Sequence, residues 1–188
     1  MKYLNSTIKK YLADLSAKTP ARGGGSAAAL SLAMAASLVS MGCRFSIGKE
    51  KYRRWKNRLK KDLLESLSVQ CRASGLIDED IAAYRLKDFK KAISVPAQVC
   101  RLSCQTMGLA YELLRCGNKN LTSDTAMALL LANLSFVTGF FYVQANIKFL
   151  KKSTKEHKKL LKELTSLSKK MKKIKKRAEV EIGTTFRW

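Results

Sequence analysis

The stretch AAALSLAMAASLVSMGCRFSI, residues 27–47, decides the fold. It is rich in alanine, serine and methionine, so it favours a helix whose small side chains allow neighbouring helices to approach closely. Gly48 follows the stretch and is a natural end for a helix. The sequence therefore predicts a long helix from Ala27 to about Ile47, packed inside the protein among other helices.

The segments on both sides of this helix are also helical in character. Only two prolines occur in 188 residues, and residues 97–182 contain none, which leaves room for further long helices. No stretch reads as part of a β-sheet. We predict an all-α fold, an up-and-down helical bundle of about five to seven helices, and a single domain over residues 1–188.

Glycines, prolines and capping residues set the predicted helix boundaries. The opening helix is predicted over Tyr3 to Ala17, with Ile8, Leu12 and Leu15 on one stripe. Ser26 is predicted to cap the long helix, because three glycines in a row do not suit a helix interior. A basic helix is predicted next, from about Glu50 to Ser74, where Gly75 breaks it. A shorter helix from Ile77 to Ala92 follows, and then one that begins at Val95-Pro96 and runs to about Arg115. The helix after it is predicted to have Ser123 or Asp124 as its cap and to run to about Leu150.

Positive charge dominates the composition, with 37 Lys and Arg against 14 Asp and Glu and a net charge of +23. A final basic helix is predicted at about residues 154–178, because apolar positions recur there at spacings of three and four. These positions are His157, Leu160, Leu161, Leu164, Leu167, Met171 and Ile174. A charge of this size attracts anions of any kind, among them nucleic acid, acidic lipid and acidic metabolites.

The cysteine pattern and the start of the chain indicate a cytoplasmic protein. Five cysteines without CxxC spacing are interpreted as reduced thiols, and the opening residues lack the apolar run of a secretory signal. Because His157 is the only histidine, no metal site is expected. Residues 27–43 and 125–147 are uncharged and long enough for membrane spans, but their small and amide side chains suit a protein interior, so no membrane is expected.

Two segments hold residue types that carry chemistry. Gly23-Gly24-Gly25-Ser26 leads into a helix N-terminus, whose free N–H groups favour a bound phosphate or carboxylate, although a flexible connection explains the pattern equally well. Asp78 and Asp80 lie in a chain that is poor in acids. Asp80 shares a helix face with Ile77 and Tyr84, where a desolvated carboxylate serves as general acid or base. The alternative is that both acids only favour a helix N-terminus.

A third segment offers polar side chains in a loop before a helix. Asn118 and Asn120 follow Gly117, and Ser123 and Asp124 come next along the chain. Capping of the following helix is the alternative that this pattern leaves open.

Together and in this order, these segments resemble the formiminotetrahydrofolate cyclodeaminase and methenyltetrahydrofolate cyclohydrolase family. The resemblance rests on residues 15–30, 37–41, 47–52, 76–84, 95–96, 116–124 and 146–148. It implies an up-and-down helical bundle that forms a homodimer and an enzyme of one-carbon metabolism that needs no metal or other cofactor. Two reactions stay open. One is a lyase that converts 5-formiminotetrahydrofolate to 5,10-methenyltetrahydrofolate and ammonia, and the other is a hydrolase that opens the methenyl bridge with water.

The resemblance also implies a site. Asp78 and Asp80 match the family's acidic segment and would supply the proton-transfer carboxylates, and which of them is the base stays open. The substrate-binding residues that it implies are Gly23, Gly24, Gly25, Ser26, Lys49, Tyr52, Asn118, Asn120, Ser123, Asp124 and Asn146. The basic surface suits the polyanionic glutamate tail of a folate.

The chain departs from the family pattern in four respects. Arg22 stands where a proline usually precedes the glycines, and Tyr142 stands where an asparagine is usual. The segment between Tyr84 and Val95 is shorter, and the tail is more basic. The alternative prediction is therefore a family member without activity that binds nucleic acid or another polyanion.

Overall fold

The computed structural model describes residues 3–18, 23–150 and 154–185. Within these residues it contains six α-helices and no strand, which confirms the predicted all-α fold. The α-helices are α1 (Ile8–Ser16), α2 (Gly24–Ser46), α3 (Lys56–Arg85), α4 (Phe89–Cys116), α5 (Thr122–Phe149) and α6 (Lys155–Thr185). Short 3₁₀ turns lie at Tyr3–Asn5, Glu50–Trp55 and Lys119–Leu121.

Helix α2 is the central element, as its sequence predicted. It packs against α3, α4 and α5, and α6 lies on α4 and α5. Ala29, Ala35 and Ala36 of α2 have no solvent exposure, because small side chains let the neighbouring backbones come close. The helices α2 and α5 run in opposite directions, since Gly24 at the start of α2 meets Tyr142 near the end of α5.

In the part of the chain that the structure describes, two helices are long and apolar enough to span a membrane, Gly24–Ser46 and the segment Lys119–Phe149. In the first, 61% of the most apolar stretch is buried inside the protein, as expected for a core helix. In the second the buried share is 39%, because one side of α5 exposes large apolar residues to solvent.

The predicted break at Gly75 is wrong. Helix α3 continues through Gly75 to Arg85, because its neighbours Leu76 and Ile77 are buried and their packing outweighs the roughly 1 kcal/mol that a helical glycine costs. The predicted helix from Ile77 to Ala92 is therefore the end of α3 and the start of α4. The turn between them is tight, with Lys87 at a φ of 52°.

The predicted helix start at Val95-Pro96 is also wrong, because α4 begins at Phe89 and Pro96 lies inside it. Proline has no N–H, so the carbonyl of Ala92 loses its usual donor four residues on. Asn146 of α5 replaces it: its Nδ2 donates to the Ala92 oxygen at 2.6 Å. A side chain from the neighbouring helix thus allows α4 to pass through a proline.

Two further predicted helix starts need correction. Gly23, not Ser26, is the N-cap residue of α2, and Gly24 and Gly25 form its first turn. Helix α5 begins at Thr122 with Leu121 as N-cap, so neither Ser123 nor Asp124 caps it. The residues just before the glycines, 19–22, lie outside the described residues, and Arg22 is one of them.

Helix α1 is shorter than predicted, and two of the three residues of its predicted stripe are exposed, whereas Leu15 is half-buried against the core. It starts at Ile8, where Thr7 caps it by accepting from the Lys10 N–H at 3.1 Å. Ile8 is 78% exposed and Leu12 is 55% exposed, whereas Tyr11 is buried. The helix therefore packs mainly through Tyr11, an aromatic residue with a polar end, with Leu15 beside it.

The basic C-terminal helix is part of the bundle, as predicted, and it extends to Thr185. Leu164, Met171 and Ala178 are buried against the core. Glu163 adds an ion pair with Arg101 of α4, in which the Oε1 to Nε distance is 2.6 Å.

Candidate functional site

The predicted site residues lie in two groups at opposite ends of the bundle. One group surrounds the start of α2 and includes Gly24, Gly25, Asp80, Tyr142 and Asn146; we call it the glycine end. The other surrounds the end of α2 and includes Ser46, Tyr52, Asn118, Lys119 and Asn120; we call it the asparagine end. Because α2 has 23 residues, the two ends are about 33 Å apart in one protein chain.

At the glycine end, the Asp80 carboxylate lies directly against the backbone of Gly25. A Cβ added at Gly25 would lie 2.3 Å from Oδ1 and 2.6 Å from Oδ2 of Asp80. Only glycine leaves room for this contact. The sequence pattern had joined these two segments only through the family resemblance, and the structure places them in contact.

The environment of Asp80 makes it a candidate for proton transfer. Burial raises its pKa from 3.8 to about 6, and the backbone N–H of Ser26 partly opposes this by favouring the charged form. Tyr84, which was expected to help bury the carboxylate, is 61% exposed. The start of α2 covers the carboxylate through the contact with Gly25, and the dipole of this helix favours the charged form.

Tyr11 and Ser26 support the same end of α2. The Ser26 hydroxyl donates to the Gly23 carbonyl at 2.9 Å, so the Tyr11 hydroxyl donates to the Ser26 oxygen, 3.1 Å away. Burial raises the pKa of Tyr11, and the charge of Asp80 acts in the same direction. Sequence reasoning missed Tyr11, because no motif in its segment distinguishes it from its neighbours.

Tyr142 closes the glycine end from α5. Its hydroxyl occupies the space beside Gly24, where a Cβ would lie 2.1 Å from it. The only signal in the sequence was that a tyrosine stands where the family usually has an asparagine. The structure shows that this larger side chain rests on the glycine run.

Asp78 has a different setting from Asp80. Its Oδ1 accepts from the backbone N–H of Tyr3 at 2.9 Å, which fastens the start of the chain to α3. Glu79, between the two, pairs with Arg72, which also donates from Nε to the Gln98 Oε1 at 3.0 Å. The three consecutive acids therefore have three separate sets of partners.

A cavity of about 520 Å³ opens beside this end of the bundle. It is lined by Ala83, Tyr84, Lys87, Asp88, Phe89, Ala92, Asn146 and Phe149. The rings of Phe89 and Phe149 stack in its wall with centroids 5.9 Å apart. Asp80 is not among the lining residues, but Ala83 lies one helical turn after Asp80 and Asn146 one turn after Tyr142, so the cavity opens about one helical turn from the acid. The lining combines aromatic surface, Lys87, Asp88 and the amide of Asn146, which suits a planar polar ligand.

The asparagine end is a closed hydrogen-bond network. The Asn118 N–H donates to the Ser46 hydroxyl at 2.8 Å, and Asn118 Oδ1 accepts from the Asn120 N–H at 3.1 Å. The Tyr52 hydroxyl lies 3.4 Å from Asn118 Oδ1 and accepts from the Lys119 N–H at 3.3 Å. These contacts fix the loop between α4 and α5 to the end of α2.

The other predicted substrate-binding residues also belong to the asparagine end. Lys49 and Ser123 have exposed side chains, and Asp124 is half-buried in the first turn of α5. Nearby, Asp62 is 2% exposed and holds Arg58, whose Nε lies 2.8 Å from Oδ1. Burial raises the pKa of Asp62, against the opposing effect of Arg58. The sequence analysis missed this pair, although its spacing of four residues was a usable signal.

Metal ligands do not cluster in the described ranges, where no three His, Cys, Asp or Glu side chains come together as a metal site would require. The expectation of a site without metal or cofactor stays a prediction.

Comparison with known proteins shows what this chain is similar to. The sequence profile of the formiminotransferase-cyclodeaminase family matches residues 7–87 and 85–166, two segments that meet at the turn between α3 and α4. A methenyltetrahydrofolate cyclohydrolase from Methylorubrum extorquens is 32% identical, over 78% of this chain and 81% of that protein. The formimidoyltransferase-cyclodeaminase of Rattus norvegicus is 21% identical, over 77% of this chain but 31% of its own length.

A solved structure has the same fold. The crystal structure of formiminotetrahydrofolate cyclodeaminase from Thermotoga maritima superposes with a TM-score of 0.90 and covers 96% of this chain and 98% of that one. The sequence identity is 22%, so this likeness concerns the fold alone.

Proposed function

Because the chain belongs to the formiminotransferase-cyclodeaminase family, we propose that its glycine end is an acid–base site for the one-carbon bridge between N5 and N10 of tetrahydrofolate. The observation that carries this proposal is the position of Asp80, which lies against Gly25 about one helical turn from the cavity and has a pKa raised to about 6. A carboxyl group with that pKa exchanges protons readily near neutral pH.

The proposed chemistry needs a positioned anion and a proton acceptor. The methenyl bridge carries a positive charge, which the Asp80 carboxylate stabilises at close range. When water forms a C–O bond to the bridge carbon, Asp80 takes one of its protons. Asp80 returns that proton to the nitrogen that leaves as one C–N bond breaks, and the remaining hydroxyl proton passes to solvent as the formyl group forms. The folate ring lies in the cavity between the stacked Phe89 and Phe149 and the amide of Asn146.

Of the two reactions, we favour hydrolysis of 5,10-methenyltetrahydrofolate. The relative that is 32% identical is a cyclohydrolase of similar length, since the match spans 81% of it. Formation of the bridge from 5-formiminotetrahydrofolate, with release of ammonia, is the second candidate. It is supported by the relatives from rat and mouse, each 21% identical over 77% of this chain. Both reactions use an acid and a base at the same carbon.

The test is a direct assay of the purified protein with each substrate. Loss of the methenyl absorbance above the uncatalysed rate, with little ammonia released from 5-formiminotetrahydrofolate, is the expected result. Faster ammonia release would favour the cyclodeaminase reaction instead. Absence of both activities, in protein that binds a folate by calorimetry, would contradict the proposed acid–base function.

We further propose that the protein works as a cytoplasmic homodimer in which both ends contribute to one site. Helices α2 and α5 expose a continuous apolar face that includes Met34, Met127, Leu130, Leu134 and Phe141, which are 43% to 62% exposed. Apolar surface of this extent favours burial against another protein. A twofold axis perpendicular to α2 and α5 would place the asparagine end of one copy beside the glycine end of the other.

Complementation tests the shared site. Asp80→Asn and Asn118→Ala would each disable one half of every site in their own homodimers. Mixed after reversible dissociation, they should recover about a quarter of the parent activity, because half of the dimers then hold one intact site. If the mixture forms heterodimers but stays as inactive as its components, the site lies within one copy.

A further inference from the structure

The outward face of α6 carries a row of lysines that the proposed reaction does not use. At about 100° per residue, six lysines fall within about 60° of one another, on the side opposite the buried Leu164 and Met171. They are Lys155, Lys158, Lys162, Lys169, Lys173 and Lys176, and all six are exposed. We call them the lysine row.

The acidic side chains of α6 lie outside the lysine row. Glu156 and Glu163 project to one side of the row, and Glu163 is turned toward Arg101 of α4, with an Oε1 to Nε distance of 2.6 Å. Glu179 lies on the other side, 3.7 Å from the Nζ of Lys175. The row is therefore a straight line of positive charge about 32 Å long, held rigid by the packing of α6 on α4 and α5.

We propose that the lysine row binds nucleic acid through its phosphodiester backbone, in addition to the activity at the glycine end. A nucleic acid is a linear polyanion with a charge every few ångströms, which matches a line of lysines spaced by three, four and seven residues. The net charge of +23 adds a long-range attraction for the same partner.

The structure favours this partner over a membrane. A basic amphipathic helix binds a lipid surface by inserting its apolar face, whereas the apolar face of α6 is already buried, with Leu164 fully covered and Met171 only 2% exposed. Recognition of bases by stacking is not part of the proposal. The ring of Trp55, in the other basic segment, already has the Arg54 guanidinium over it, 5.1 Å from the ring centroid.

Fluorescence anisotropy of a labelled oligouridylate tests this inference on the full chain. One variant changes Lys158, Lys162, Lys169 and Lys173 to Gln. The matched control changes four exposed lysines elsewhere, Lys9, Lys18, Lys56 and Lys60, to Gln. Both variants lose the same charge, and glutamine and lysine have similar helix propensities.

The parent should bind with a steep salt dependence between about 50 and 200 mM salt. The row variant should weaken binding at least about 10-fold and reduce the slope of log affinity against log salt by about 3, while the control keeps the parental slope to within about one. Equal losses in both variants would overturn the proposal, because the row would then be no different from other surface charge. It would also be overturned if the parent bound vesicles that contain phosphatidylserine but not the oligouridylate. Turnover of the folate is measured separately, so failure of the proposed reaction leaves this test intact.

Discussion

The two ends of α2 are built from similar residue types but differ in what surrounds them. At the asparagine end, the polar groups of Ser46, Tyr52 and Asn118 satisfy one another and close a loop. At the glycine end, Asp80 is desolvated against a helix start, and a cavity of about 520 Å³ opens about one helical turn away, at Ala83. The comparison teaches that a polar motif at a helix end becomes a candidate for chemistry when it also contains a titratable side chain with a displaced pKa and has space for a ligand nearby.

The largest expected effect comes from removing the charge at the glycine end. Asp80→Asn keeps the shape of the side chain but cannot accept a proton, so turnover should fall by about 10²–10⁴-fold. Helix content and melting temperature, followed by circular dichroism, should be close to those of the parent or higher, because a buried charge is removed.

The same change at Asp78 sharpens the choice between the two acids. The amide oxygen of an asparagine would still accept from the Tyr3 N–H, which lies 2.9 Å from the Asp78 Oδ1 in the parent, so the fold should be kept. We expect Asp78→Asn to lose less than about 10-fold in rate. A larger loss at Asp78 than at Asp80 would reverse the assignment.

Gly25→Ala should give the second largest effect. Its Cβ would lie 2.3 Å from the Asp80 Oδ1, so the carboxylate must move, and the rate should fall at least about 10-fold if Asp80 is the acid–base group that we propose. Gly108→Ala in α4 is the matched control, since its Cβ would meet no atom within 4 Å. It should keep the parental rate and add up to about 1 kcal/mol of stability. Equal rates in both alanine variants would mean that the contact with Asp80 does not matter.

Burial of Asp80 should also appear in the pH dependence of stability. Its pKa is about 6 in the folded protein and 3.8 as its ordinary value, so the folded state holds a proton between these values that the unfolded state has lost. Stability should therefore rise as the pH falls from 7 toward 4, by up to about 3 kcal/mol from this group. Urea unfolding at several pH values should show this rise in the parent relative to Asp80→Asn. If the free energy of unfolding changed with pH in the same way in the parent and in Asp80→Asn, the pKa of Asp80 would be ordinary.

The smallest expected effect concerns Asn146, whose side chain also stabilises α4 at Pro96. Asn146→Ala should destabilise the protein by about 1 kcal/mol, since the Ala92 carbonyl loses the donor that Pro96 does not provide. In a Pro96→Ala background, residue 96 again has an N–H that can donate to the Ala92 carbonyl. Asn146→Ala should then lower the free energy of unfolding by less. A double-mutant cycle by urea unfolding measures the difference, and an unchanged cost would contradict the role in α4.

The sequence predicted the helical class, the central helix and the packed C-terminal helix, because each depends on a local pattern of apolar residues. It failed where a distant contact decides the outcome. Gly75 and Pro96 look like helix ends in isolation, but buried neighbours and Asn146 from α5 allow the helices to continue. Local propensity holds no information about such partners.

The sequence offered a set of candidate site residues but not their geometry. The family resemblance named residues from both ends of α2 as one site, although they lie about 33 Å apart in one chain. Tyr11 and the contact between Gly25 and Asp80 depend on the packing of α1 and α3 against the start of α2. No spacing within a single segment encodes them.

The central claim is that Asp80 is a proton-carrying group inside the ligand site. Its carboxyl carbon can be followed by NMR in protein labelled at aspartate, and Asp80→Asn identifies its signal. We predict a titration midpoint of about 6, as burial requires, and a shift of that midpoint when 5-formyltetrahydrofolate is added. A midpoint near the ordinary 3.8 that stays unchanged with the folate bound would contradict the account.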